Sequence, residues 1–243
     1  MSEANTIHVQ KVTKSFSKKV VVKDVNIDIK EGSIYGFIGP SGAGKTTLIK
    51  MMVGMDTPDE GSIYLLGEKM PNLNILQQVG YMAQSDALYT ALTGKENLMF
   101  FASLFKLDKM EKQKRIAYVA ELVNLTEDLN KRVSAYSGGM KRRLSLAIAL
   151  IQDPQVLILD EPTVGIDPEL RLSIWNELVR LKREEGKTII VTTHVMDEAE
   201  RCDCIAMVRD GSIIASGTSH QLKEKYKVNS LDEAFLQAGR QSK

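Results

Sequence analysis

Gly39-Pro40-Ser41-Gly42-Ala43-Gly44-Lys45-Thr46-Thr47 decides how the rest of this chain is read. Its first eight residues match G-x-x-x-x-G-K-[ST], and the context is the one that pattern requires. The apolar run Ile34 to Ile38 before it predicts a buried strand. Thr46 to Val53 after it predicts a short helix stopped by Gly54. The physical sense of the spacing is anion binding. Glycines let successive backbone N–H groups curl round a phosphate, and the helix N-terminus adds partial positive charge. Lys45 can reach β- and γ-phosphates, and the Thr46 hydroxyl can ligate magnesium. A chance Gly-rich turn is the alternative, and it would not need the strand before or the helix after.

Working outward, Ile7 to Val12 and Val20 to Ile29 predict strands of an antiparallel N-terminal flap, with alternation at Val25, Ile27 and Ile29. Gly61 to Leu66 and Val79 to Met82 predict further strands. From about Leu92 to Ile151 the pattern turns helical, with an apolar face at Leu98, Phe101, Ala102 and Phe105 and a second helix around Ile116 to Val123. Val156 to Leu159 and Thr188 to Thr192 are short aliphatic or β-branched runs suited to a buried parallel sheet. Between them, Asp167-Pro168 caps and opens a helix that buries Leu170, Ile174, Leu178 and Leu181 and stops at Gly186. Asp210-Gly211 marks a two-residue hairpin, and Ser230 with Glu233 a capping box in a helical tail. Alternating strands and helices predict an α/β fold: a P-loop NTPase core with a mostly parallel sheet, the antiparallel flap and an inserted helical subdomain.

The 243 residues are 43% hydrophobic and 26% charged, a globular composition. Lys and Arg number 32 against 31 Asp and Glu, so the net charge of +1 gives no long-range field for nucleic acid. The run Lys141, Arg142, Arg143 reads as a solvated face or partner contact. The longest apolar stretch, Leu146 to Ile151, is far short of the roughly 20 residues that span a bilayer, and no secretory signal is visible near the N-terminus. A cytosolic location is expected. Cys202 and Cys204 fit neither a disulfide framework nor a zinc site and are expected as buried thiols.

Two more constellations suit a bound nucleotide. Leu157-Ile158-Leu159-Asp160-Glu161 ends a predicted buried strand in adjacent carboxylates, at the strand end where ligands sit in such sheets. Asp160 can hold the magnesium shell, and Glu161 can polarise an attacking water. A helix N-cap before Pro162 is the plainer reading of either acid. Ser137-Gly138-Gly139-Met140 opens a helix, with a hydroxyl and two glycines at its positive end. Read alone it is a flexible helix start; read with the phosphate loop it is a second anion site, which one nucleotide hardly needs unless subunits share it.

Taken together, these motifs and their order resemble the nucleotide-binding subunit of an ATP-binding cassette (ABC) transporter. Tyr136-Ser-Gly-Gly-Met140 is similar to the family signature, Gln84 to the glutamine of the loop after Val79 to Met82, and Val164-Gly-Ile-Asp167 to the loop with the dimer-contact aspartate. His194 matches the switch histidine, and Phe16 the aromatic that stacks on adenine. The plainer readings are a loop amide, a strand-end histidine and ordinary core. Met140, Tyr136, Ala83 and Val164 depart from the commoner glutamine, leucine, proline and serine, and Tyr-Ser-Gly-Gly-Met with basic residues after it resembles the branch that exports drugs or antibiotics.

The resemblance implies an ATPase using ATP and Mg2+. Phe16, residues 39–47, Ser137, Gly138, Gly139 and Asp167 would bind nucleotide; Glu161, His194 and Gln84 would act in catalysis; Thr46, Gln84 and Asp160 would attend the metal. It also implies a second nucleotide-binding subunit, a polytopic membrane permease, no nucleic acid, and a peripheral place on the cytoplasmic face of the membrane. One cassette is expected over 1–243: a core of 1–84 and 153–220, a helical subdomain at 85–152 and a tail at 221–243. A soluble cassette acting on DNA or ribosomes is the competing reading, but such proteins usually carry a long coiled coil or two cassettes, absent from this sequence. A P-loop kinase leaves Ser137 to Met140 and His194 unexplained.

Overall fold

A computed structural model describes residues 5–85 and 87–241. In chain order its elements are β1 (Asn5–Phe16), β2 (Lys19–Lys30), β3 (Ile34–Ile38), α1 (Lys45–Met52), β4 (Glu60–Leu65), β5 (Glu68–Lys69), β6 (Val79–Met82), α2 (Gly94–Ala102), α3 (Lys109–Leu122), α4 (Gly138–Leu150), β7 (Val156–Asp160), α5 (Pro168–Glu185), β8 (Thr188–Thr193), α6 (Met196–Ala199), β9 (Cys204–Arg209), β10 (Ser212–Gly217), α7 (Ser219–Tyr226) and α8 (Leu231–Gln241). They group into two units, Met1–Ile75 with Thr188–Lys243, and Leu76–Lys187.

In the first unit the flap is an antiparallel sheet ordered β2-β1-β4-β5. Ile7 pairs with Ile29 on one side and Leu65 on the other. Strand β1 runs past the predicted Val12 because its hairpin partner continues, with Ser15 opposite Val20 and Phe16 opposite Lys19. A second sheet has the order β10-β9-β3-β8, with β3 parallel to both β8 and β9. Strand β3 is buried at all five residues, which is why it reads as an unbroken apolar run. The β9–β10 hairpin turns at Asp210 and Gly211, both left-handed (φ 50° and 81°), the geometry that makes Asp-Gly the favoured pair there.

In the second unit β6 and β7 pair in parallel, from Val79 opposite Val156 to Met82 opposite Leu159. The chain therefore leaves the two strands at neighbouring points, after Met82 and after Asp160. The predicted helical stretch resolves into α2, α3 and α4, the first two opened by capping boxes at Thr93/Glu96 and Asp108/Glu111. Leu98 and Ala102 are buried, whereas Phe101 and Phe105 are only half-buried. Helix α5 is capped at Asp167, whose carboxylate accepts from Leu170 N at 2.9 Å, and ends at left-handed Gly186 (φ 67°). It buries Ile174, Trp175, Leu178 and Leu181; Leu170, one turn from the cap, stays half-exposed instead of entering the core.

Candidate nucleotide site

The phosphate loop belongs to the first unit. Strand β3 ends at Ile38, and Gly39 has no room for a side chain: a Cβ there would lie 2.1 Å from the Val208 carbonyl oxygen. Gly44 adopts φ 104°, a conformation that L side chains avoid, and caps α1 without any side-chain acceptor. Helix α1 thus opens on a glycine with no side-chain cap, the kind of helix start that anion sites use. Pro40, Ser41 and Gly42 are exposed, Ala43 is buried, and Thr46 and Thr47 are partly exposed. Lys45 is buried, and its ammonium donates to the carbonyls of Gly39 (2.7 Å) and Pro40 (3.1 Å), which holds the cation over the loop.

Phe16 is 49% exposed at the end of β1, with the Lys14 ammonium 5.4 Å from its ring centre, so it is not the ordinary core residue of the plainer reading. His194 lies exposed just after β8. The turn that presents it is pinned by its neighbours: Thr193 donates its hydroxyl to the buried Glu198 carboxylate (2.7 Å) and accepts from Val195 N (3.0 Å).

The carboxylates, glutamine and signature belong to the second unit. Asp160 is 1% exposed at the end of β7. Glu161 follows in a left-handed backbone conformation (φ 53°) and is partly exposed. Gln84 is exposed beyond β6. Burial, reinforced by the Asp160 charge, pushes the hydroxyl of Tyr81 in β6 up to about 12. Ser137 caps α4, accepting from Met140 N at 3.2 Å. A Cβ on Gly138 would meet open space, and one on Gly139 would stand 3.0 Å from the Gly165 carbonyl of the loop that carries Asp167.

Expected on a solvated face, Arg142 instead lies buried under this cluster and donates to the carbonyls of Ala83 (2.7 Å), Gln84 (3.0 Å), Asp160 and Glu161 (2.7 Å). Arg143 is also tied inward, to the carbonyls of Val123 and Asn124. The reason is local geometry: the fifth residue of α4 faces the ends of β6 and β7, and a guanidinium is tolerated there when carbonyls take up its protons. No sequence signal separated Arg142 from its two basic neighbours. Cys202 is buried as expected, but Cys204 is only half-buried.

Among the described residues no three His, Cys, Asp or Glu side chains gather as a metal cluster. Magnesium in phosphate-handling sites uses one or two protein oxygens together with substrate phosphates, and the Thr46 hydroxyl and Asp160 carboxylate are donors of that hard-oxygen type. The residues present fit the ion. Among the described residues no helix is long and apolar enough to cross a membrane.

Comparison with known proteins agrees with this chemistry. The ABC transporter family model matches residues 22–164. The chain is 42% identical over 221 residues to the Nod factor export ATP-binding protein I of Burkholderia orbicola, covering 90% of this chain and 72% of that protein. It is 39% identical over 245 residues to the linearmycin resistance ATP-binding protein of Bacillus subtilis, covering 96% of this chain and 78% of that protein. A solved dimeric ATP-binding cassette in a post-hydrolysis state with ADP and Pi superposes with a TM-score of 0.81 at 27% identity, over 87% of this chain and 98% of that one.

Proposed function

This chain belongs to the ABC transporter family and is an ATP-binding, ATP-hydrolysing subunit of the export type, and we propose that it works as one of two paired cassettes driving export through a separate polytopic membrane partner. It would sit on the cytoplasmic face of the membrane through that partner. The observation that carries the residue assignments is the phosphate loop itself, in which α1 opens on Gly44 with no side-chain cap and Lys45 held over the loop. The names of the relatives support export, and the dimeric solved cassette supports pairing.

In this reading the N–H groups of residues 39–47 cradle the phosphates, Lys45 neutralises charge at the β- and γ-positions, and Phe16 stacks on the adenine. Thr46 and Asp160, with Gln84 nearby in the reaction, would hold magnesium, which when bound draws negative charge from the transferring phosphoryl group. Glu161 accepts the proton of the attacking water, Gln84 orients that water and relays its state to the membrane partner, and His194 donates to a γ-phosphate oxygen. Ser137, Gly138, Gly139 and Asp167 meet the nucleotide held by the opposing subunit. Loss of the γ-phosphate removes contacts to Ser137 and His194, so hydrolysis releases the pair. The segment 85–152 serves as the helical subdomain, 1–84 with 153–220 as the core and 221–243 as a tail.

Glu161→Gln should bind ATP, turn over slowly and accumulate as a nucleotide-bound dimer in size-exclusion chromatography. Wild-type hydrolysis in that variant would remove Glu161 as the base. Lys45→Ala should lose ATP affinity, and unchanged binding would contradict the phosphate-loop assignment. Membrane pull-down should recover a polytopic protein; recovery of ribosomes or DNA would favour a soluble role.

A further inference from the structure

Two parallel strands end side by side in the second unit, and four carbonyls at and just beyond their ends converge. Those of Ala83 and Gln84 come from the end of β6, and those of Asp160 and Glu161 from the end of β7. One buried side chain serves all four. Arg142 sends Nη1 to Ala83 and Gln84 and Nη2 to Asp160 and Glu161. It stands on α4, the helix that Ser137 caps. Its planar fork spans both chains at once, which the single ammonium of a lysine cannot do. At Glu161 the backbone it holds is left-handed (φ 53°), a conformation that an L residue keeps only when its surroundings enforce it.

We propose that Arg142 is the positioning residue of the reaction: it holds the left-handed turn that aims Glu161, and it ties that turn to the glutamine loop and to the signature helix. A shift of α4 or of residues 83–84 therefore moves the base. The Glu161 side chain is competent only when both flanking elements are in register with it. Arg142 acts on Glu161 through the main chain, by the carbonyls it holds. This rests on the assignment of Glu161 as the base.

The test is a double-mutant cycle of Arg142→Gln with Glu161→Gln, followed by steady-state ATPase assays, binding of a fluorescent ATP analogue and thermal unfolding. In the wild-type background Arg142→Gln should lower kcat about 10- to 100-fold, the scale of an ångström-level misplacement, while KM and analogue affinity stay within about threefold. In the Glu161→Gln background the same change should lower residual turnover less than about twofold, because the group it positions is already gone. Equal losses in the two backgrounds, or a kcat that does not fall, would overturn the proposal. A fall in analogue affinity parallel to kcat would overturn it too, by marking a general structural lesion. If Arg142→Gln does not fold, Arg142→Lys carries the same test, since it keeps charge and stem and loses only the fork; full kcat in that variant counts against the proposal. Wild-type turnover by Glu161→Gln alone identifies the other failure, that of the base assignment.

Discussion

A methyl group added at Gly94, the first residue of α2, would meet the tyrosine that stands just before the signature serine. An ideal Cβ there lies 2.2 Å from the Tyr136 hydroxyl oxygen, 3.2 Å from its Cζ and 3.4 Å from the Leu129 carbonyl. The hydroxyl cannot swing aside freely, because it donates to the Asp128 carbonyl at 2.8 Å and the side chain is 5% exposed. Overpacking of this kind costs about 1–3 kcal/mol, and alanine in a helix returns roughly 0.5 kcal/mol, so Gly94→Ala should destabilise by about 1–2 kcal/mol. Tyr136→Phe removes the oxygen and leaves the Asp128 carbonyl without that donor, a loss of about 1–1.5 kcal/mol. With the oxygen gone the added methyl faces Cζ at 3.2 Å, which a few tenths of an ångström relieves. The double variant should therefore be about as stable as Tyr136→Phe alone, a coupling of about 1–2 kcal/mol. Urea unfolding followed by fluorescence of the one tryptophan, Trp175, buried in the same unit, measures it. Costs that add to within about 0.5 kcal/mol would refute the packing argument.

Phe16→Ala should weaken ATP binding about 5- to 20-fold, the worth of one base–aromatic stack, while leaving the melting temperature unchanged because the ring is half-exposed; unaltered affinity would sink the stacking role. Asp167→Ala should lose the α5 cap, about 1 kcal/mol in urea unfolding, whereas Asp167→Ser keeps the cap; if the Ser variant nonetheless traps less dimer in the Glu161→Gln background, the carboxylate has a contact of its own, and equal trapping shows that it has none. Glu177 is partly buried, which raises its pKa, but hydrogen bonds from Arg180 and Tyr118 outweigh that and hold it below the ordinary 4.5. A depressed folded pKa contributes stability above the unfolded value that is lost as pH falls through the folded one. The deficit of Glu177→Gln, about 1 kcal/mol at pH 7, should accordingly shrink as pH drops below about 4.5, and a constant deficit down to pH 3 would contradict it.

Some of this was open to reading from the sequence because the information is local. Strands Ile34–Ile38 and Val79–Met82 lie where their apolar runs put them, since buried strands of a parallel sheet need only a short run bounded by turn residues. Helix α5 begins and ends where a capping carboxylate with proline, and then a glycine, start and stop main-chain bonding on their own. The phosphate loop is of the same kind, as its anion-binding power comes from consecutive N–H groups and a glycine pattern. The ends of β1 were not local, because its length is set by a partner strand that keeps pairing to Phe16. Nor was the exposure of Phe16, an aromatic residue that composition alone would place inside.

Arg142 shows the division most sharply. In sequence it is the middle of three basic residues, and charge by default means solvent. Burying a guanidinium is favourable only where enough carbonyls converge to take its protons. That convergence exists because β6 and β7, more than seventy residues apart in the chain, pair in parallel and end together. The sequence by itself determined where groups of the kind that bind phosphate and activate water stand, since those properties reside in residue types and short spacings. Only the tertiary structure decided which buried cation ties the Glu161 turn to residues 83–84, because hydrogen-bond convergence is a property of strand pairing and has no signature along the chain.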